Sequence, residues 1–167
     1  MAIHYKISSM VQEALIEMFL VANFCINFRK DPKIWGSYGC YGYPAAILLF
    51  SIADAIGSYV IGGNTRKHFD ILVHKDYYNL NLKDEDIDLI YKNYRSLLTH
   101  NAALPYNFYL NIGKKNDSVY QIKDGKPLIN LLPFFLLTKK VLNKFLNEAD
   151  KIISKSKTLK EIELKTI

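Results

Sequence analysis

With 167 residues, half of them hydrophobic and 23% charged, the chain can build one domain with a packed core and is marginal for two. The composition excludes a disordered protein, and two cysteines, Cys25 and Cys40, exclude a disulfide framework. The net charge is +6, with 19 of the 22 basic residues being lysines spread along the chain, so the balance favours an anionic partner such as nucleic acid, nucleotides or an acidic protein.

The first helix is expected from about Met10 to Asn27. Ser9 serves as its cap and Gln12 completes a capping box. Leu15, Phe19, Ala22 and Ile26 recur at helical spacing, and Asp31-Pro32 ends the element. The Gly- and aromatic-rich loop DPKIWGSYGCYGY is too apolar for a free linker and is expected to pack on the domain. A second helix starts at Pro44 and stops at Gly62-Gly63. It is apolar nearly all round, which predicts a central position. Its length approaches a membrane span, but Asp54 sits near the middle and basic residues flank both ends, so no membrane span is expected.

Residues 64–82 read as irregular. The third helix is capped by Asp84, with Glu85 and Asp86 complementing the helix dipole in its first turn. Ile87, Ile90, Tyr91, Tyr94, Leu97 and Leu98 form its apolar stripe, and it ends before Pro105. An insert of β character follows. YNFYLNIG alternates, KKND turns, SVYQIK forms a second strand, and Asp124-Gly125 turns again. The last helix runs from Leu131–Pro133 to about Ser154, with Leu136, Leu137, Val141, Phe145 and Ile152 facing inward. The expected fold is an all-α four-helix bundle with a small β-hairpin inserted between the third and fourth long helices. One domain spans 1–167, and 154–167 forms a basic, mobile C-terminal tail.

The segment YKNYRSLLTHNAALP, at 91–105, carries Arg95 and His100. Arginine offers a fixed fork of donors to phosphate oxygens, and histidine moves protons near neutral pH. On an ideal helix the two point about 140° apart. They meet on one ligand only if the helix ends or distorts near Thr99, or if a second copy contributes. Asp54, in the most apolar helix, must be paired or protonated, and an ion pair would orient Arg95 toward phosphate. The alternative for Asp54 is a structural hydrogen bond to a helix neighbour or a tyrosine. Ser96 and Thr99 can donate to phosphate or bond back to the preceding turn. In the Thr65-Arg66-Lys67-His68 cluster, Arg66 and Lys67 are candidates to hold a nucleic-acid backbone. The insert places Tyr106, Phe108, Tyr109 and Tyr120 near Lys114 and Lys115, a mix that can stack bases or cover a bundle edge. No His or Cys pair has metal-ligand spacing and no phosphate-binding P-loop pattern is present, so neither a metal nor a cofactor is expected. A reducing cytoplasm is the expected compartment.

YRSLLTH on the third long helix resembles the Arg-x(4–6)-His signature of the HEPN superfamily (higher eukaryotes and prokaryotes nucleotide-binding). The resemblance implies a metal-independent endoribonuclease, often a toxin or phage-defence component held by an antitoxin protein. Its site would be composite in a homodimer, with Arg95 binding and polarising the scissile phosphate and His100 acting in proton transfer or phosphate contact. Members commonly carry Asn, Asp or His after the arginine, and this chain has Ser96. That departure favours the alternative implied by the same resemblance, a non-catalytic module binding RNA, a nucleotide or a protein.

Overall fold

The computed structural model describes residues 6–36, 38–101 and 103–165. They form a mostly helical fold with one small three-stranded sheet. Helix α1 spans Ile7–Asn27. It starts earlier than expected: Lys6 holds the N-cap position, and Ser9 lies inside the first turn rather than capping it. Gln12 makes no capping box and instead donates to Asp150 on the last long helix at 3.4 Å. Leu15, Ala22, Cys25 and Ile26 face the core, while Ile16, Leu20 and Phe24 lie on an exposed outer face.

The aromatic loop begins with a short helix α2, Pro32–Trp35, whose cap Asp31 accepts from the Lys33 N–H at 2.9 Å. It packs on the domain as expected. Tyr41 stacks on Phe28 with ring centroids 4.4 Å apart, and Trp35 meets Tyr41 edge-on. Helix α3, Gly42–Val60, is the central element and packs against α1, the last long helix and the segments that follow it. Its Ala45, Leu49, Phe50, Ile52, Ala53 and Ile56 are buried, and the Phe50 ring lies against Phe69, Tyr94 and Phe134. By length and composition both α1 and α3 are apolar enough to cross a membrane. The thiols of Cys25 and Cys40 are buried, and burial pushes both pKa values up, which disfavours the reactive thiolate.

Part of the stretch 64–82, expected to be irregular, is helical. Helix α4 covers Thr65–His68 and a 3-10 turn follows over Phe69–Leu72. The third long helix is continuous but not uniform. Helix α5 (Asp84–Leu89) passes into a π-helical segment, Ile90–Leu97, and ends in α6, Leu98–Asn101. Its cap is Lys83 rather than Asp84, because the Lys83 N–H donates to the Asp86 carboxylate at 3.0 Å. Ile87, Ile90, Tyr94 and Leu98 are buried, as the stripe predicts. Asn93 is also buried, its amide donating to the Leu89 carbonyl at 2.9 Å.

The insert is not a single hairpin between its first two runs. Strand β1 (Tyr109–Asn111) pairs in parallel with β3 (Lys126–Asn130), and β3 pairs antiparallel with β2 (Tyr120–Lys123). The hairpin is therefore β2–β3, turning through Asp124-Gly125, both of which have positive φ as a two-residue hairpin turn requires. KKND does form a turn, closed by the Lys114 N–H on the Asp117 carboxylate at 2.7 Å, but it links β1 to a crossing segment. Asn130, fully buried, ties the strands: its amide donates to the Ser118 carbonyl at 2.8 Å and its oxygen accepts from Asn111 at 3.0 Å.

Helix α7, Leu131–Lys155, buries Phe134, Phe135, Thr138, Val141, Leu142, Phe145, Ala149 and Ile153. Leu136, Leu137 and Ile152, expected on its inner face, are only partly buried. The stretch expected as a mobile tail includes helix α8, Lys157–Lys165. It docks on α3 through the Thr158 hydroxyl, which donates to the Ser58 carbonyl at 2.7 Å.

Tyr94 joins the third helix to the sheet. Its hydroxyl lies 3.0 Å from the Tyr109 carbonyl and 2.8 Å from that of Pro127. Burial pushes its pKa well above the ordinary tyrosine range, so it remains a donor. Tyr94→Phe keeps the packing and removes the one O–H that the Tyr109 and Pro127 carbonyls share. We expect it to lower unfolding free energy by about 1–2 kcal/mol in urea titration. An unchanged midpoint would show that the hydroxyl does not hold the sheet to the helix.

Candidate functional site

The chemistry-bearing groups converge on Asp54, in the middle of α3. Its Oδ1 lies 2.8 Å from Nδ1 of His68. Its Oδ2 accepts from Nε and Nη2 of Arg95, at 3.1 and 3.0 Å. The carboxylate thus joins α4 on one side to the π-helical segment on the other. All three side chains are mostly buried, with 12%, 14% and 22% of Asp54, His68 and Arg95 exposed. No described buried side-chain nitrogen or oxygen lacks a partner.

Local backbone features make this meeting possible. Gly57 sits one turn beyond Asp54 on α3, and a Cβ there would lie 2.1 Å from the His68 carbonyl oxygen. Only glycine lets α4 approach so closely. The chain reverses through Gly62 and Gly63, both at positive φ, and Asn64 caps α4 by accepting from the Lys67 N–H at 3.0 Å. This returns His68 over the face of α3 that carries Asp54. The second ring nitrogen, Nε2, lies 3.1 Å from the Gly63 carbonyl. Both ring nitrogens therefore face oxygen atoms of the protein, and the ring is held at both ends.

Arg95 emerges from the π-helical segment. The Leu98 N–H reaches back to the Asn93 carbonyl, five residues away. A π turn takes up more residues than an α turn, so the side chains rotate less per residue. The segment distorts ahead of Thr99, which narrows the angle between Arg95 and His100 relative to an ideal helix. No contact joins the two residues. His100 is exposed on α6 and makes no hydrogen bond or ion pair among the described residues. Arg95 keeps Nη1 unengaged, since its bonds to Asp54 use Nε and Nη2.

The remaining candidates divide. Arg66 is committed elsewhere: it pairs with Asp70 at 2.7 Å and with Asp88. Burial works against its charge, but the hydrogen bonds it donates to Asp88 and Asp70 and their negative charges outweigh this, and its pKa lies above the ordinary value. Lys67 is exposed beside His68, and its alkyl chain covers Gly63. Ser96 is half-buried and Thr99 exposed, and neither hydroxyl bonds back to the preceding turn. The Asp54–Arg95 pair is one of the two alternatives that sequence reasoning leaves open for Asp54, the other being a hydrogen bond to a helix neighbour or a tyrosine. His68 is in neither, although it lies in the cluster that Arg66 and Lys67 define. The signal for it was present: a carboxylate in an apolar helix needs more than one partner, and Gly57 marks where another backbone can reach it.

Removing Asp54 would leave the Arg95 guanidinium and the His68 ring buried without the carboxylate that pairs with both. Asp54→Ala is therefore expected to lower stability by about 3–5 kcal/mol. A loss below about 1 kcal/mol in chemical denaturation would show that solvent already screens the cluster. Gly57→Ala should displace α4 and shift the His68 ring resonances in NMR spectra. Unchanged resonances would mean that the close approach does not set the ring. No protein-family model, no characterised protein and no solved structure matches this chain.

Proposed function

We propose that this chain is a HEPN-like, metal-independent endoribonuclease built on an all-α bundle and active as a homodimer, in the manner of a toxin or phage-defence component. The carrying observation is the guanidinium of Arg95, held from below by the buried Asp54 through Nε and Nη2, with Nη1 open and the exposed His100 farther along the same helix. A carboxylate behind an arginine fixes the plane of its fork, as binding of a phosphate requires.

In this reading the 2′-hydroxyl of the substrate attacks the adjacent phosphorus. The new bond from phosphorus to the 2′-oxygen forms as the bond to the 5′-oxygen breaks, leaving a 2′,3′-cyclic phosphate and a 5′-hydroxyl. His100 takes the proton from the 2′-hydroxyl, and His100 of a second copy gives one to the departing 5′-oxygen. Arg95 offsets the charge that grows on the phosphate oxygens. Asp54 positions Arg95 and touches no substrate. His68, engaged at both nitrogens, secures Asp54 and takes no part as a base. Lys67, Ser96 and Thr99 are available to the strand on either side.

A non-catalytic binding module is the second reading, favoured by Ser96 directly after Arg95. The two separate in a cleavage assay on mixed cellular RNA with EDTA present. Wild type should cut and leave cyclic phosphate ends, whereas Arg95→Ala and His100→Ala should each lose about a hundredfold or more in rate. His100→Ala should do so at unchanged stability, whereas Arg95→Ala also strips Asp54 of a partner, so its rate is read under conditions where circular dichroism shows it folded. Asp54→Asn should weaken cleavage without abolishing it. Cleavage that survives both the Arg95 and the His100 substitution would falsify the ribonuclease reading, and RNA binding without cleavage by wild type would leave the binding module.

A further inference from the structure

The sheet presents an aromatic and basic surface away from the Asp54 cluster. Tyr106 is 90% exposed and Tyr109 40%, so neither ring serves the core to any large extent. Between them stands Lys126, its Nζ 5.4 Å from the centre of the Tyr106 ring and 5.3 Å from that of Tyr109. The same ammonium donates to the Tyr109 hydroxyl at 2.9 Å. Two clefts meet at Tyr109. One, of about 380 Å³, is lined by Lys123 and Lys126 together with a single carboxylate, Asp124. The other, of about 250 Å³, is lined by Lys30 and by Tyr43, which is itself half exposed.

Exposed tyrosine rings beside lysines suit one class of ligand better than others. An acidic peptide would use the ammonium groups and leave the rings idle. A strand of nucleic acid uses both, because each unstacked base offers a flat face to a ring and each phosphate a charge to a lysine. A duplex keeps its bases stacked on one another and cannot offer those faces. The three lysines outnumber the one carboxylate, in keeping with a chain of net charge +6. We infer that a single-stranded nucleic acid lies across β1, with bases on Tyr106 and Tyr109 and phosphates on Lys30, Lys123 and Lys126. That the strand is RNA rests on the proposed function, and the assignment then says where the substrate runs outside the cleavage site. The hold is independent of sequence, since stacking on a ring accepts any base.

The test is fluorescence anisotropy of a short labelled oligouridine on the full-length His100→Ala protein in EDTA. An oligothymidine and an RNA duplex serve as competitors. Binding should weaken with salt at a logarithmic slope of about 2, as expected for three neutralised phosphates on a single strand. Tyr106→Ala combined with Tyr109→Ala should weaken it about tenfold or more. Lys126→Gln should lower the salt slope by about 0.7. The duplex should compete poorly. Absence of binding at low salt, or binding that ignores the tyrosine substitutions, overturns the site. Better competition by oligothymidine than by oligouridine overturns its assignment to RNA. Tyrosine-dependent binding by a protein that never cleaves RNA rejects the ribonuclease reading alone. Cleavage by a wild type whose RNA binding ignores the tyrosines rejects this site alone.

Discussion

A carboxylate inside the most apolar helix is the constraint around which this fold is arranged. Asp54 cannot stay charged among Ile52, Ala53 and Ile56 without polar partners brought to it. Both come from later in the chain: His68 after a tight reversal, and Arg95 from the third long helix, 41 residues beyond Asp54. Each partner fixes one packed element. The His68 contact holds α4 against α3, and the Arg95 contact holds the π-helical segment. Desolvating three ionisable groups offsets much of their mutual attraction, so the net contribution to stability is smaller than the cost of breaking the cluster. Its structural effect is selection among packings. A slip of the third helix by one turn would leave Asp54 without Arg95.

Backbone features were needed to satisfy that carboxylate. Gly57 removes the side chain that would hold α4 away, and Gly62-Gly63 turns the chain within a few residues. The π-helical segment answers a conflicting demand. One helix must bury Ile90, Tyr94 and Leu98 in the core and also bring Arg95 to Asp54. Arg95 follows directly after the buried Tyr94, whose hydroxyl is fixed to two carbonyls of the sheet. The wider turn changes the angle between successive side chains, so these neighbours can be fixed in different directions at once. Wider turns of this kind recur where function depends on where a side chain points.

The four long helices were legible in the sequence because their apolar stripes recur over many residues, whereas the short α2 and α4 and the docked α8 carry too few residues for a stripe. The Ile87–Leu98 stripe and the all-round apolarity of α3 gave a position as well as an element. That Asp54 needs a partner was legible because a buried charge demands one, but the sequence leaves open whether that partner is Arg95 or a helix neighbour or tyrosine. Errors came where one local contact outweighed a local pattern. Ser9 has the right chemistry for a cap, yet the helix starts at Ile7, ahead of it. No element is expected for the run KPLIN after the Asp124-Gly125 turn, yet it is the central strand, with the Pro127 carbonyl accepting from Tyr94. His68 escaped because its placement depends on an approach of two backbones at Gly57, which no periodicity records. The π turn escaped because its residues read as an ordinary helix.

The two residues of the Arg-x4-His motif play unequal structural parts, and this bears on how such a site would work. Arg95 is fixed at two of its nitrogens and has little freedom left. His100 is exposed and has no hydrogen bond or ion pair among the described residues. For phosphate chemistry this division is coherent. A charge-stabilising group works best when it is already aimed, because no reorganisation is then needed as charge develops. In the proposed reaction two proton transfers at two different oxygens fall to the His100 side chains of two copies, and each must settle against its own oxygen when substrate is bound. With no contact between them, a single copy supplies an aimed cation and an unplaced proton carrier. On the ribonuclease reading, ordering of His100 falls to the substrate or to a second copy. That requirement would link activity to assembly, since a lone chain could grip a phosphate without completing the reaction.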